Sequence, residues 1–286
     1  TQVGSYRFDD PDGEVGIEVL LLMDTSGATP VLFQVPLTYR GAPLEGAERA
    51  LVGTTEHSAL GTRWVYDGCH DPVFVTALLE TILTGGRHAD VSFEEGTQDR
   101  PQGVLPATVR VQGSGTRGRR MPTVLATRVL SGEQSNTSMI IDTQARDGEQ
   151  RTVIVKLFRV VQDGLNPDVV LQSAISATGS TRVPATVGYL TGQWPDSSIG
   201  TGHAAGHLAF VQEFLPDVSD AWREALEAAR ADTDWTAKAR ELGVATAEVH
   251  GVLAQALPTA EVTPARADSV LGEMRRRYDV AARVHP

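Results

Sequence analysis

Lys156 sits near the end of Arg151-Thr152-Val153-Ile154-Val155-Lys156-Leu157-Phe158, an otherwise apolar and β-branched run, about twenty residues past a polar turn. That turn reads Gly132-Glu133-Gln134-Ser135-Asn136-Thr137-Ser138 and is dense in hydroxyls and backbone N–H donors. An ammonium is a compact point charge suited to phosphate oxygens, and a turn of successive N–H groups makes an anion-binding concavity. The pair predicts a phosphate site. Each part alone has a plainer explanation: a strand-end lysine snorkels to solvent, and such a turn is ordinary hairpin chemistry. Their order along the chain gives them weight.

Other reactive side chains carry less. His57, His70 and Asp71 lack metal-ligand spacing, so capping and surface roles are expected. His203 and His207 are four apart, but in a Gly- and Ala-rich stretch that reads as a loop. Cys69 adjoins His70, and neighbouring residues rarely face each other. Trp64, Trp194, Trp222 and Trp235 could stack on a sugar ring, yet tryptophans on strands and helices are expected to pack cores. No metal site is predicted.

These residues must be held by elements, and composition bounds what those can be. The 286 residues, 41% hydrophobic, suffice for two domains with cores of their own. A formal net charge of −11 argues against nucleic acid or an anionic membrane as partner. The one basic run, Arg117 to Arg120, lies among glycines and reads as a solvated loop. A single cysteine excludes an internal disulfide and a four-cysteine zinc module, which fits a reducing cytoplasm. No signal-peptide pattern and no membrane-length apolar run is evident.

Runs at 15–23 and 31–39, the second broken by Pro36, predict an antiparallel pair, with another strand at 62–66. Asp71-Pro72 reads as N-cap and first helical position, with Gly85-Gly86 ending the helix. Strands are expected at 89–95 and 104–111, and a flexible linker at Gly113 to Gly118. Then come strands at 123–130, 138–142 and 152–158, and a short helix after Asn166-Pro167-Asp168. Two more strands follow at 185–191 and 208–214. Helices are predicted for Asp220 to Arg230, Trp235 to Ala256 and Ala265 to Ala282. The second should bury Leu242, Ala245, Val249 and Leu253 on one face.

Five strands around one helix, then helices, is the order of an α+β, bilobal protein-kinase-like fold. The motifs GEQSNTS, VIVKLFR, GLNPD, FVQEF and LG..TAEVH resemble the actinobacterial maltokinase and glucosamine kinase family, relatives of aminoglycoside phosphotransferases. The opening GSYRFDDPDGEVGIE, VPLTYRGAPLEGAE and HSALGTRWVYDGCHDP resemble that family's N-terminal cap, and look closer to the glucosamine kinase branch. The resemblance implies a cap at 1–112, a kinase N-lobe at 119–215 and the first C-lobe helices at 216–286.

It also implies a sugar kinase using ATP and Mg2+, with glucosamine as acceptor and maltose as the alternative. A non-catalytic nucleotide-binding module is the third reading. On these positions, Lys156 would bind the nucleotide phosphates, and Ser135, Asn136, Thr137 and Ser138 would close over them. Gln212, Glu213 and Phe214 would offer hinge backbone groups to adenine. Kinases orient the lysine with a Glu on the next helix; Val170 stands there, and Asp168 is the nearest acid. The catalytic base is expected in an HGD-type loop, and no such motif occurs; His250-Gly251 is followed by Val252 inside a helix. The catalytic residue is therefore unknown, and base and metal ligands are expected beyond Pro286. The resemblance further implies a monomer or weak homodimer in the cytoplasm, without nucleic-acid or membrane partners.

Overall fold

The computed structural model describes residues 1–89, 107–115, 120–130, 136–216 and 218–284 of this mixed α/β protein. Two compact units divide it, Thr1–Trp235 and Thr236–Pro286. The larger opens with β1 (Gln2–Phe8), β2 (Gly16–Asp24) and β3 (Val31–Arg40), followed by β4 (Leu51–His57) and β5 (Gly61–Asp67). Helix α1 (Pro72–Thr84) begins as predicted. Asp71 accepts the Val73 N–H at 3.0 Å and proline fills the first turn, while Gly85, at φ 67°, supplies the left-handed stop.

Short strands β6 (Arg87–Ala89), β7 (Ala107–Thr108) and β8 (Arg110–Gly113) follow, then β9 (Thr123–Val129), β10 (Asn136–Gln144), β11 (Gln150–Phe158) and β12 (Val160–Val161). Helix α2 (Pro167–Ala177) is capped by Asn166 and precedes β13 (Thr186–Pro195) and β14 (His203–Glu213). Helix α3 (Ala221–Arg230) ends this unit; α4 (Thr236–Ala256) and α5 (Pro264–Val284) form the smaller one.

One sheet runs β4-β5-β3-β2-β1-β7, with β12 added to β3; the other runs β6-β8-β13-β14-β11-β10-β9. Leu78, Leu79, Ile82 and Leu83 of α1 join Tyr6, Val19 and Leu21 of the first sheet and Met139, Val155, Leu157 and Val211 of the second in one hydrophobic cluster. The segments expected as cap and N-lobe thus exchange strands. β8, from the expected cap, pairs with β13, and β12, from just past the lysine strand, pairs with β3.

Four expectations change here. Gly113 and Gly115, read as the start of a flexible linker, lie flat against the end of α1. A Cβ at Gly113 would come within 1.9 Å of the Thr81 carbonyl, and one at Gly115 within 2.0 Å of the Leu83 carbonyl. Close approach is what requires glycine; residues 116–119 lie outside the described part. Of the strands expected at 89–95 and 104–111, only residue 89 and residues 107–111 are described, in β6 and across β7 and β8, 90–106 being outside the described part. The loop expected around His203 is the start of β14, where His207 is buried and its Nδ1 accepts the Asn166 N–H at 3.0 Å. On α4 the expected stripe is only half-buried at Ala245, Val249 and Leu253, and Leu242 is exposed. Trp194 packs the core as expected; Trp222 is exposed.

Candidate functional site

In β11 side chains alternate between two faces. Val153, Val155 and Leu157 enter the main core, whereas Ile154, Lys156 and Phe158 face the other way. Register extends that second face across three strands: Ser138 of β10 lies opposite Lys156, and Phe210 of β14 lies opposite it on the far side. Ile140 and Gln212 flank Ile154 in the next row. Helix α2 covers one end of this face, where Val169 packs on Phe158, Phe210 and the half-buried Tyr189. Lys156 is therefore a half-buried cation on an apolar surface in the middle of a sheet. Among the described residues it makes no hydrogen bond and no ion pair.

The expected partners divide. Asn136 and Ser138 share the lysine's face, with Ser138 fully buried. Thr137 does not: it is paired with Leu157 on the core side, and its hydroxyl accepts from Arg159 Nε at 2.8 Å. Arg159 in turn reaches Asp67 at 2.6 Å and the Cys69 sulfur at 3.4 Å. Alternation along the strand thus turns Thr137 away from the proposed phosphates and makes it an anchor. Ser135 lies outside the described residues. Asp168 is exposed on the first turn of α2, where its N–H donates to Asn166 Oδ1, and its carboxylate makes no ion pair with Lys156.

The hinge also differs in detail. The Glu213 N–H donates to the Ala185 carbonyl (2.9 Å) and the Phe214 N–H to the Thr152 carbonyl (3.0 Å). These two of the expected donors are spent on the sheet. The next amide, Leu215, has no hydrogen-bond partner among the described residues, and it is the donor left to a ligand at this edge. Gln212 has a different vacancy. Its Oε1 is buried without a partner among the described residues, as are the hydroxyls of Ser173 on α2 and Thr186 on β13. Buried polar atoms are nearly always paired, so three orphans near one face mark a place for a bound molecule or water. Sequence reasoning missed Ser173, Thr186 and Leu215; only Thr186, paired in register with Gln212, carried any signal, and that needs the strand pairing.

Residues 1–71 match the family model of the maltokinase N-terminal cap domain. The matched segment is joined to the lysine strand by one side chain in particular. Gln34, wholly buried on β3, donates through Nε2 to the carbonyls of Phe158 (3.0 Å) and Leu208 (3.1 Å), and accepts the Tyr6 hydroxyl (2.6 Å). The Gln34 N–H adds a bond to the Arg159 carbonyl at 2.8 Å. Cap chemistry elsewhere is structural. Burial pushes the Cys69 thiol well above its ordinary range, which makes it inert as a nucleophile. His57 Nδ1 accepts two turn amides, and the carboxylate of Asp71 is held by Arg40 at 2.6 and 2.7 Å.

A lysine and an amide oxygen that both lack partners among the described residues, beside apolar Ile140 and Ile154, suit a nucleotide. Among the described residues no three His, Cys, Asp or Glu side chains converge to hold a metal. No helix among them is long and apolar enough to cross a membrane.

Proposed function

We propose that this chain carries the cap and nucleotide-binding lobe of an ATP-dependent sugar kinase with maltose as acceptor. The observation that carries the reading is Lys156, half-buried and without a partner among the described residues, on a sheet face that α2 covers at one end, behind a segment matching the maltokinase cap. Lys156 would hold the nucleotide phosphates, Asn136 and Ser138 would border them, and Leu215 with the Glu213 carbonyl would meet the adenine edge. Mg2+ would neutralise charge between the phosphates; no ligand for it, and no base for the sugar hydroxyl, is assigned on these residues.

The opening segment looks closer to the glucosamine kinase branch, but the match over residues 1–71 is to maltokinase, so maltose takes first place. Glucosamine is the comparator. Work in the cytoplasm as a monomer or weak homodimer completes the proposal.

The test is ATP turnover with maltose and with glucosamine, followed as ADP release and as new phosphate ester by phosphorus NMR. A maltose phosphate at a rate well above that with glucosamine supports the reading. A preference for glucosamine reverses the acceptor. ATP binding without either product leaves a nucleotide-binding module and refutes the enzyme.

A further inference from the structure

On the back of the lysine strand, a cavity of about 420 Å³ opens between the end of α1 and the sheet. Its floor is apolar and continuous with the main core: Leu79 and Leu83 of α1, Val153 of β11, and the half-buried Met121 and Val187. Its rim is cationic. Arg120 precedes β9, Arg146 lies in the β10–β11 turn, and Arg151 stands on β11. Glu149 pairs with Arg151 at 2.9 and 3.0 Å, whereas Arg120 and Arg146 make no ion pair among the described residues. Two guanidinium groups without a described counter-ion therefore stand over an oily floor in a chain whose formal net charge is −11.

We infer that this cavity is a binding site for an amphipathic anion: an acyl chain or similar apolar body ending in a carboxylate or phosphate monoester. Volume and lining are those of small-molecule sites, mostly apolar with a few convergent polar groups. The planar fork of arginine matches both anionic heads, and it keeps its charge at every accessible pH. Two larger cavities lack this combination. One of about 560 Å³ also carries two arginines, Arg87 and Arg110, but its lining mixes His88, Gln112, Thr191 and Gln193 with three glycines and offers only Val111 and Leu165 as large apolar side chains. The other, about 680 Å³ in the cap, is rimmed by Asp9, Asp10, Glu14 and Glu56 and would repel an anion.

The site is separate from the nucleotide face. Val153 points into it from the core side of β11, and Lys156 leaves the same strand on the opposite side. Occupancy should therefore be compatible with ATP.

Calorimetric titration of the full chain with decanoate, decyl phosphate and decanol, below the concentrations at which they self-associate, tests the inference. Expected are one-to-one binding of at least one of the two anions and affinity for decanol at least tenfold lower. The tighter of the two anions identifies the head group. The double variant R120A/R146A should weaken anion binding at least tenfold without moving the ligand-free thermal midpoint, since both side chains are exposed and make no ion pair among the described residues. The charge-retaining R120K/R146K should recover most of it. Equal affinity for decanol and the anions, unchanged anion binding by the alanine variant, displacement by ATP, or no saturable binding overturns the proposal.

Discussion

Replacing Gln34 by leucine removes one buried amide and nothing of comparable bulk. The side chain is wholly buried and makes three bonds, to the Tyr6 hydroxyl and to the Phe158 and Leu208 carbonyls. Leucine strands all three partners in an apolar setting. Each stranded group costs about 1–3 kcal/mol, and carbonyls, with a second lone pair, fall toward the lower end. The expected loss is about 3–5 kcal/mol, a large share of the roughly 5–15 kcal/mol that holds a typical domain together. Urea denaturation measures it. A cycle with Tyr6→Phe isolates one bond: in that background the Gln34→Leu cost should shrink by about 1–2 kcal/mol, because no hydroxyl remains to be stranded. Phe158 lies two residues past Lys156, and Leu208 two before Phe210, its cross-strand neighbour. Loss of the cap strand and of the lysine strand should therefore appear as a single transition. A cost below about 1 kcal/mol, strict additivity in the cycle, or two separated transitions would refute this reasoning.

Two further outcomes follow from the same contacts. Arg40→Met leaves the fully buried Asp71 carboxylate without its guanidinium at the start of α1, and should cost about 3–5 kcal/mol by the same assay. Burial lowers the ring pKa of both His88 and His207. For groups with folded values below the unfolded one, stability is fully present above about pH 6.5 and is lost as pH falls through the folded values. Thermal midpoints should therefore drop between neutral pH and about pH 5, and His207→Asn should flatten that drop relative to its own neutral-pH midpoint.

Where local pattern decides structure, the chain could be read directly. Asp71-Pro72 and Gly85 bracket α1, and alternation in 152–158 gives both the strand and the odd position of Lys156. Strands without such alternation were invisible. Leu51–His57 buries no side chain and is held by its pairing with β5, and β12 is two residues long. Gly206 hid the start of β14 because glycine weakens a strand reading, although a Cβ there would meet the Gln162 carbonyl at 2.4 Å. The site was legible to the same degree. Lys156 and Ser138 needed only their own strands, but the turning away of Thr137 depends on Arg159 and Asp67, which lies 92 positions from that arginine. The spent N–H groups of Glu213 and Phe214 depend on Ala185 and Thr152, partners that no local window contains.

The central claim is that Lys156 holds nucleotide phosphate, and equilibrium binding of ATP to the unaltered chain and to Lys156→Met tests it most directly. A charge-assisted hydrogen bond contributes about 1.5–3 kcal/mol, so the methionine variant should bind ATP roughly 10- to 100-fold more weakly. Its thermal midpoint without nucleotide should be unchanged or higher, since no described partner of the ammonium is lost. Unchanged ATP affinity in a folded Lys156→Met protein would contradict the account.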